Sequence, residues 1–202
     1  YQAHFMNETV LLKNLRILAD KGLKSVIFSG EGEPLLNKNA VRIFNETKKM
    51  GIDIALATNG VLFTKDKIEE CLESFSWIRF SIAAGTAETY EKIQTAKSGD
   101  FNRVLQNLRD AVAIKRRNNL SVTLGAQMLL LPENADEVTV LAGEMRDIGI
   151  DYLAVKPYSQ HPQSKVQKEV HYEKSEQIAE EVERYQTDNF KVYFRRNSIS
   201  NL

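Results

Sequence analysis

The stretch Ser25-Val-Ile-Phe-Ser-Gly-Glu-Gly-Glu-Pro-Leu-Leu36 decides how this chain is expected to fold. Its apolar run from Val26 to Phe28 predicts a β-strand that is buried on both faces. The strand leads directly into Gly30-Glu31-Gly32-Glu33-Pro34, where the glycines permit close approach to a ligand and Pro34 stiffens the backbone. The stretch therefore predicts a rigid turn at the carboxyl end of a strand, where α/β proteins bind ligands.

The turn offers carbonyl and carboxylate acceptors, which suit a cation such as a primary ammonium and do not suit a phosphate. A plain turn that leads into a helix is the alternative for this stretch taken alone. Glu31 and Glu33 do not form a glycosidase pair, because residues two apart in one rigid turn cannot readily flank a sugar bond from opposite sides.

Composition describes an ordinary globular chain of 202 residues, with 43% hydrophobic and 27% charged residues and a net charge of zero. The neutral balance gives no indication of a nucleic-acid or anionic-lipid partner. No apolar run approaches the length of a membrane span. The single cysteine, Cys71, excludes an intrachain disulfide framework and is compatible with a cytoplasmic location.

Apolar periodicity and capping residues predict helices that alternate with strands along the chain. Asn7, Thr64 and Asp100 are candidate helix caps, and Asn134 with Glu137 has the spacing of a capping box. The predicted strands are Ser25–Ser29, Ile52–Ala57, Trp77–Ala83, Val122–Leu130 and Asp151–Val155, followed by a last helix near Glu173–Gln186 and a short strand, Phe190–Phe194. This alternation predicts right-handed βαβ units and a parallel sheet.

Polar residues follow or interrupt the predicted strands and are candidates for a common site. They are Glu31 and Glu33, Thr58 and Asn59, Ser81, Gln127, Lys156 and Tyr158. Gln127 stands inside an otherwise apolar strand, where burial is unfavourable unless the amide is hydrogen-bonded. It either faces a polar cavity or bonds to a neighbouring strand.

Three of these segments, in this order, resemble the core of radical S-adenosylmethionine (radical SAM) enzymes. They are Gly30-Glu31-Gly32-Glu33-Pro34, then Ala57-Thr58-Asn59-Gly60, then Arg79-Phe80-Ser81-Ile82 before Thr86-Ala87-Glu88-Thr89-Tyr90. The resemblance covers about Asn7 to Pro157. It implies an α/β fold, a partial (β/α)6 TIM-like barrel with parallel strands, whose first strand and cluster loop are absent from this chain. Residues 1–157 are then the core, and 158–202 a linker with a terminal helix and short strand that close the barrel or lead to a further domain.

The resemblance also implies roles for individual residues. Gly30, Glu31, Gly32 and Glu33 hold the methionine ammonium of SAM, and Ser81 the methionine carboxylate or the ribose. Asn59 and Gln127 lie near the ribose, and the backbone around Val155 and Lys156 flanks the adenine. A 4Fe–4S cluster passes one electron to SAM, and the resulting 5′-deoxyadenosyl radical removes a hydrogen atom from the substrate. The implied partners are a small-molecule or peptide substrate and an electron donor such as flavodoxin or ferredoxin, with no nucleic acid and no membrane.

The chain departs from this family in its cysteines. The family holds its cluster with a Cys-x3-Cys-x2-Cys loop, whereas this chain has only Cys71, on the apolar face of a predicted helix. We therefore expect the cluster ligands upstream of Tyr1, or a non-catalytic domain that has lost its cluster and binds SAM or a partner. An unrelated α/β barrel enzyme with Glu33 as a base is a further alternative.

Two smaller features bear on the substrate. Many relatives have an acidic residue two after the strand serine, whereas this chain has Ala83-Ala84, so that carboxylate has no counterpart here. His161 follows the fifth predicted strand and either faces the substrate or is a solvated loop residue.

Overall fold

The computed structural model describes residues 5–30, 32–158 and 175–195, in which helices and strands alternate. The helices are α1 (Glu8–Asp20), α2 (Ala40–Lys49), α3 (Lys65–Cys71), α4 (Ala87–Gln94), α5 (Asp100–Arg117), α6 (Val138–Ile148) and α7 (Ser175–Glu183). The strands are β1 (Ser25–Phe28), β2 (Asp53–Thr58), β3 (Phe75–Ser81), β4 (Thr123–Leu130), β5 (Tyr152–Pro157) and β6 (Lys191–Phe194). They belong to one sheet in the order β1-β2-β3-β4-β5-β6. The pairings β1–β2, β2–β3, β4–β5 and β5–β6 are parallel. The predicted α/β class with parallel strands is confirmed.

The chain divides into two compact units, Tyr1–Phe80 with Gln106–Leu124 and Ser81–Leu105 with Gly125–Leu202. The predicted division into a core, 1–157, and a terminal part, 158–202, stays a prediction. Glu31 and His161 lie outside the described residues. Among the described helices, none is both long enough and apolar enough to cross a bilayer.

The core of the first unit lies on one face of β1, β2 and β3. Phe44 of α2 links two of the strands, since its ring centroid lies 4.8 Å from that of Phe28 and 5.1 Å from that of Phe75. Side chains alternate between the two faces of a strand, so the residues between these core positions point to the opposite face. The fully buried core residues of β2 and β3 are Ile54, Leu56, Ile78 and Phe80.

The prediction that β1 is buried on both faces is wrong. Its residues alternate between exposed and half-buried, and Ile27 is 47% exposed. Within the described residues β1 pairs only with β2, so it is an edge strand. The apolar run therefore indicates that the segment forms a strand, and it does not indicate that both faces of the strand are buried.

The second unit places a large ring against a glycine. In the parallel register of β4 and β5, Gly125 lies opposite Tyr152. A Cβ built on Gly125 would overlap the Tyr152 ring, so a larger residue at position 125 would force the ring to move. The Tyr152 ring in turn lies 5.8 Å from that of Tyr193 on β6, in an edge-on arrangement.

Helix α4 is the one described helix that the periodicity does not predict. It is short and contributes a single fully buried side chain, Tyr90, so it has almost no apolar stripe. Its capping is regular: the Thr86 hydroxyl accepts from Thr89 N at 3.4 Å, and Thr95 ends the helix in a left-handed conformation. The predicted cap of α1 is confirmed, because Asn7 Oδ1 accepts from Val10 N at 3.1 Å.

Replacing Gly125 with Ala is expected to lower the free energy of unfolding by about 1–3 kcal/mol, because the methyl group overlaps the Tyr152 ring. Denaturant unfolding of the variant measures this loss. In a Tyr152→Ala background the same change is expected to lose most of its effect, since the overlap is gone. An equal loss in both backgrounds contradicts the steric explanation.

Candidate functional site

Glu33 joins the turn after β1 to the end of β2. Its Oε1 accepts hydrogen bonds from the Thr58 hydroxyl at 2.7 Å and from Leu35 N at 3.1 Å, and its Oε2 accepts from Asn59 N at 2.7 Å. We call Glu33, Leu35, Thr58 and Asn59 the Glu33 cluster. It lies in the first unit and brings two of the sequence-predicted segments together at the carboxyl ends of β1 and β2.

The β2 side of the Glu33 cluster is held by further local bonds. The Thr58 hydroxyl also accepts from Gly60 N at 3.0 Å, and Asn59 Oδ1 accepts from Val61 N at 3.0 Å. Asn107 of α5 donates to the Gly60 carbonyl at 2.7 Å. The Asn59 side-chain oxygen is thus used within its own turn, and its amide NH2 has no partner among the described residues.

The Glu33 carboxylate has one acceptor position left for a ligand from outside the described chain. A carboxylate offers about four acceptor positions, and Glu33 uses three of them. Beside it, Gly30 and Gly32 are exposed, and a Cβ on Gly30 would meet nothing nearer than Gly32 N at 3.8 Å. Packing within the described protein therefore does not require glycine at position 30.

A second carboxylate, Glu137, fastens the start of α4. It accepts from Gly85 N at 2.8 Å, Thr86 N at 3.1 Å, the Thr86 hydroxyl at 2.8 Å and the Thr89 hydroxyl at 2.5 Å. We call Glu137, Gly85, Thr86 and Thr89 the Glu137 cluster, and all of it lies in the second unit. A carboxylate at a helix N-terminus satisfies free N–H groups and interacts favourably with the helix dipole.

The predicted capping box of Asn134 and Glu137 is wrong, because the Asn134 side chain makes no cap hydrogen bond and the Glu137 carboxylate bonds to residues of the segment after β3. Asn134 is fully buried; its Nδ2 donates to the Ala83 and Leu129 carbonyls at 2.7 and 2.8 Å, and its Oδ1 accepts from Leu131 N at 2.8 Å. Together with Glu137 it anchors the segment that follows β3 to the segment that follows β4.

The hydrogen bonds to Glu137 favour its charged form. Burial by itself raises the pKa of the carboxyl group, but the bonds from Thr89, Thr86 and the Gly85 and Thr86 amides outweigh it and lower the pKa below 4.5. Gly85 is required at this contact, since a Cβ there would lie 2.7 Å from the Glu137 carbonyl oxygen.

The remaining predicted site residues of the described chain lie on the strands of the second unit. Ser81 and Gln127 are half-buried, and their segments meet where Ile82 N donates to the Gln127 carbonyl at 3.0 Å. This bond is from the backbone; no described residue bonds the Gln127 side-chain amide. Val155 is buried, and Lys156 is half-buried with no described partner for its ammonium.

A sequence model of the Radical SAM superfamily matches residues 2–145. The chain belongs to the radical SAM superfamily. This membership overturns the alternative of an unrelated α/β barrel enzyme.

Relatives of known name match parts of this radical SAM chain. A tungsten-containing aldehyde ferredoxin oxidoreductase cofactor-modifying protein of Pyrococcus furiosus is 25% identical over 138 residues, which cover 66% of this chain and 37% of that protein. A probable GTP 3′,8-cyclase of Saccharolobus islandicus is 25% identical over 167 residues, covering 77% of this chain and 52% of the relative. The chain thus spans about half or less of the length of these relatives.

The fold is shared with solved radical SAM structures. SuiB of Streptococcus suis bound to S-adenosylmethionine matches with a TM-score of 0.75 at 16% identity, over 96% of this chain and 45% of SuiB. SuiB bound to its precursor peptide SuiA matches with a TM-score of 0.73 at 16% identity, over 95% of this chain and 43% of SuiB.

Cys71 does not fit an iron–sulfur cluster. It is 1% exposed, its Sγ donates to the Lys67 carbonyl at 3.0 Å, and burial raises the pKa of the thiol to about 12. Cluster ligands must be thiolates, whereas this side chain stays a thiol. Within the described residues there is also no group of three or more His, Cys, Asp or Glu side chains placed to hold a metal ion. The expected role of Cys71 as a core residue is confirmed.

Sequence reasoning misassigned one site residue and missed two others. Glu137 was assigned to a local cap, although its partners lie 48 to 52 residues away. Asn107 lies in the middle of an amphipathic helix, and local pattern gives no sign of its contact with Gly60. The sequence did contain a sign of Arg79, because this cation stands within a strand between Ile78 and Phe80, which are both fully buried.

Replacing Glu137 with Gln is expected to lower the free energy of unfolding by about 1–3 kcal/mol, because an amide NH2 faces donors where an oxygen accepted. The pKa of Glu137 is lowered on folding, so its contribution is fully present above 4.5 and is lost as the pH falls through the folded pKa. Unfolding at several pH values is expected to show the difference between wild type and variant shrink in acid. Asp136→Asn, at an exposed neighbour, is the control; a difference that does not depend on pH contradicts this assignment.

The Cys71 thiol is expected to react very slowly with a thiol reagent at about pH 8 in the folded protein, because it is buried and protonated. The same reagent is expected to label it fully after unfolding in denaturant. Fast labelling of the native protein would show that Cys71 is accessible as a thiolate and would reopen its role as a ligand.

Proposed function

We propose that this chain is the SAM-binding core of a radical SAM enzyme. The observation that carries the proposal is the Glu33 carboxylate, which is fixed by three hydrogen bonds and retains an acceptor position beside exposed Gly30 and Gly32. The methionine ammonium of SAM supplies the N–H donors that this arrangement lacks, and the charge-assisted bond to Glu33 orients it. Glu31, which lies outside the described residues, belongs to the same proposed contact.

The other proposed contacts involve polar groups that the described protein leaves open. Ser81 binds the methionine carboxylate or the ribose, and Asn59 and Gln127 lie near the ribose. No described residue accepts a hydrogen bond from the side-chain NH2 group of Asn59 or of Gln127, which supports a ligand role for both. The backbone at Val155 and Lys156 flanks the adenine.

The chemistry of the proposed enzyme requires a group that these residues do not hold. A 4Fe–4S cluster supplies the electron that yields a 5′-deoxyadenosyl radical for hydrogen-atom abstraction. Since Cys71 does not fit as a ligand, we assign this chain binding and orientation of SAM and no redox step. Flavodoxin or ferredoxin is the proposed class of electron donor, and the proposed location is the cytoplasm.

The proposed substrate is a small molecule or a peptide. One relative is named as a GTP 3′,8-cyclase, and SuiB has been solved with a precursor peptide, so both kinds of substrate occur among the proteins that this chain resembles.

A SAM- or partner-binding domain without a cluster is the second candidate. Anaerobic reconstitution of the full-length gene product with iron and sulfide separates the two. An enzyme is expected to form 5′-deoxyadenosine from SAM when a reductant is added. SAM binding without any 5′-deoxyadenosine supports the second candidate.

Replacing Glu33 with Ala is expected to weaken SAM binding by about 1–3 kcal/mol, because a charge-assisted hydrogen bond to the ammonium is lost. Calorimetry on the chain measures the affinity, and Glu73→Gln, at an exposed carboxylate, is the control. Glu33 also holds the turn, so 5′-methylthioadenosine, which lacks the amino-acid tail, should be tested in parallel. Equal losses for both ligands assign Glu33 a structural role only, and an unchanged SAM affinity removes it from the site.

A further inference from the structure

Arg79 is a cation on a strand face where no described acid bonds to it. It lies on β3 opposite Ala57 of β2, and Trp77 opposite Ala55 precedes it on the same face. Because Ala57 and Ala55 are small, the guanidinium has no bulky neighbour on the β2 side. The Arg79 guanidinium carbon lies 5.8 Å from the centroid of the Trp77 ring, within the range of a cation–π contact.

Arg79 is half-buried, and one nitrogen of its guanidinium is buried without a described partner. Its Nε is buried and makes no hydrogen bond, and no described residue forms a hydrogen bond or ion pair with the rest of the group. On the same face of β2 the acid is Asp53, which lies about 13 Å from Ala57 along the strand. Asp53 already binds Lys48 Nζ at 3.0 Å. Buried donors of a charged group are normally satisfied, so this position calls for an acceptor from outside the described chain.

We propose that Arg79 binds a carboxylate group of the substrate. The planar guanidinium matches a carboxylate with two parallel hydrogen bonds, and the Trp77 ring holds its plane. One guanidinium balances one negative charge. A phosphate dianion would call for further donors.

The position of Arg79 fits a substrate group and not a distant surface ligand. Its neighbour Ala57 directly precedes Thr58, whose hydroxyl binds Glu33. Arg79 and Ala57 therefore stand one residue before the strand end that carries the Glu33 cluster, with the Arg79 side chain on the strand face opposite to the Thr58 side chain. Assigning the carboxylate to the substrate rests on the proposed function, in which that cluster binds the methionine tail of SAM.

Acetate is the probe for this site, and acetamide and chloride at matched ionic strength are the controls. Trp77 is the only tryptophan, so its fluorescence reports on the adjacent guanidinium directly. Acetate is expected to change this fluorescence saturably and to shift the Arg79 Nε–H resonance in a nitrogen–proton correlation spectrum, whereas the controls do neither. A wild-type protein that shows no saturable response overturns the proposal.

Variants connect the response to the guanidinium. Arg79→Met is expected to weaken acetate binding at least tenfold, and Arg79→Lys to weaken it less, since the charge stays but the fork is lost. Arg116→Met, which removes an exposed cation of the same unit, is the matched control and should change nothing. If Arg79→Met does not fold, Arg79→Lys alone decides, and an unchanged affinity in it overturns bidentate recognition.

SAM carries a carboxylate of its own, so the two sources must be separated. If the site serves the substrate, Arg79→Met is expected to bind SAM within about twofold of wild type, and acetate still binds when SAM is present. Competition between acetate and SAM, or a tenfold loss of SAM affinity in Arg79→Met, overturns the assignment to the substrate. Failure of the proposed function gives a different result: SAM does not bind the wild-type chain, while the acetate response at Arg79 is unchanged.

Discussion

The side-chain carboxylate of Glu33 is the constraint on which the candidate site depends. The turn that it belongs to contains Gly30 and Gly32, which impose little conformational preference of their own. Pro34 restricts only its own residue and the one before it. The bonds from Thr58 and Asn59 therefore determine where the turn lies relative to β2. A side-chain contact, and not backbone preference alone, thus joins this glycine-containing turn to the end of β2.

The second unit uses the same kind of interaction for a different purpose. Segments that leave a parallel sheet have no ladder partners for their amides, so a carboxylate that accepts several of them is an effective tether. Glu137 accepts two amides and two hydroxyls, and the amides of Gly85 and Thr86 precede α4. The segment that follows Ser81 is thereby fixed to the start of α6. In both clusters, the oxygens of one glutamate side chain hold the geometry.

Local pattern predicted the elements better than it predicted their partners. Alternating strands and helices followed from periodicity, because each element buries its own apolar stripe. Periodicity did not predict helix α4, because this helix has only one buried side chain. The prediction for β1 was wrong, because a short apolar run does not show which strands lie beside it. Glu137 looked like a local cap because its true partners are about fifty residues away in sequence. Glu33 was found through the resemblance of its motif, and its bonds to Thr58 and Asn59 were visible only in the structure.

The thiol of Cys71 and the guanidinium of Arg79 lie outside the Glu33 and Glu137 clusters, and they bear on different kinds of chemistry. Burial raises the pKa of the Cys71 thiol to about 12, so this side chain keeps its proton and stays uncharged. Arg79 is half-buried, and its Nε is a buried donor without an acceptor among the described residues. Buried donors of a charged group are normally satisfied, which is why we propose an anionic ligand at Arg79 and no ligand role for Cys71.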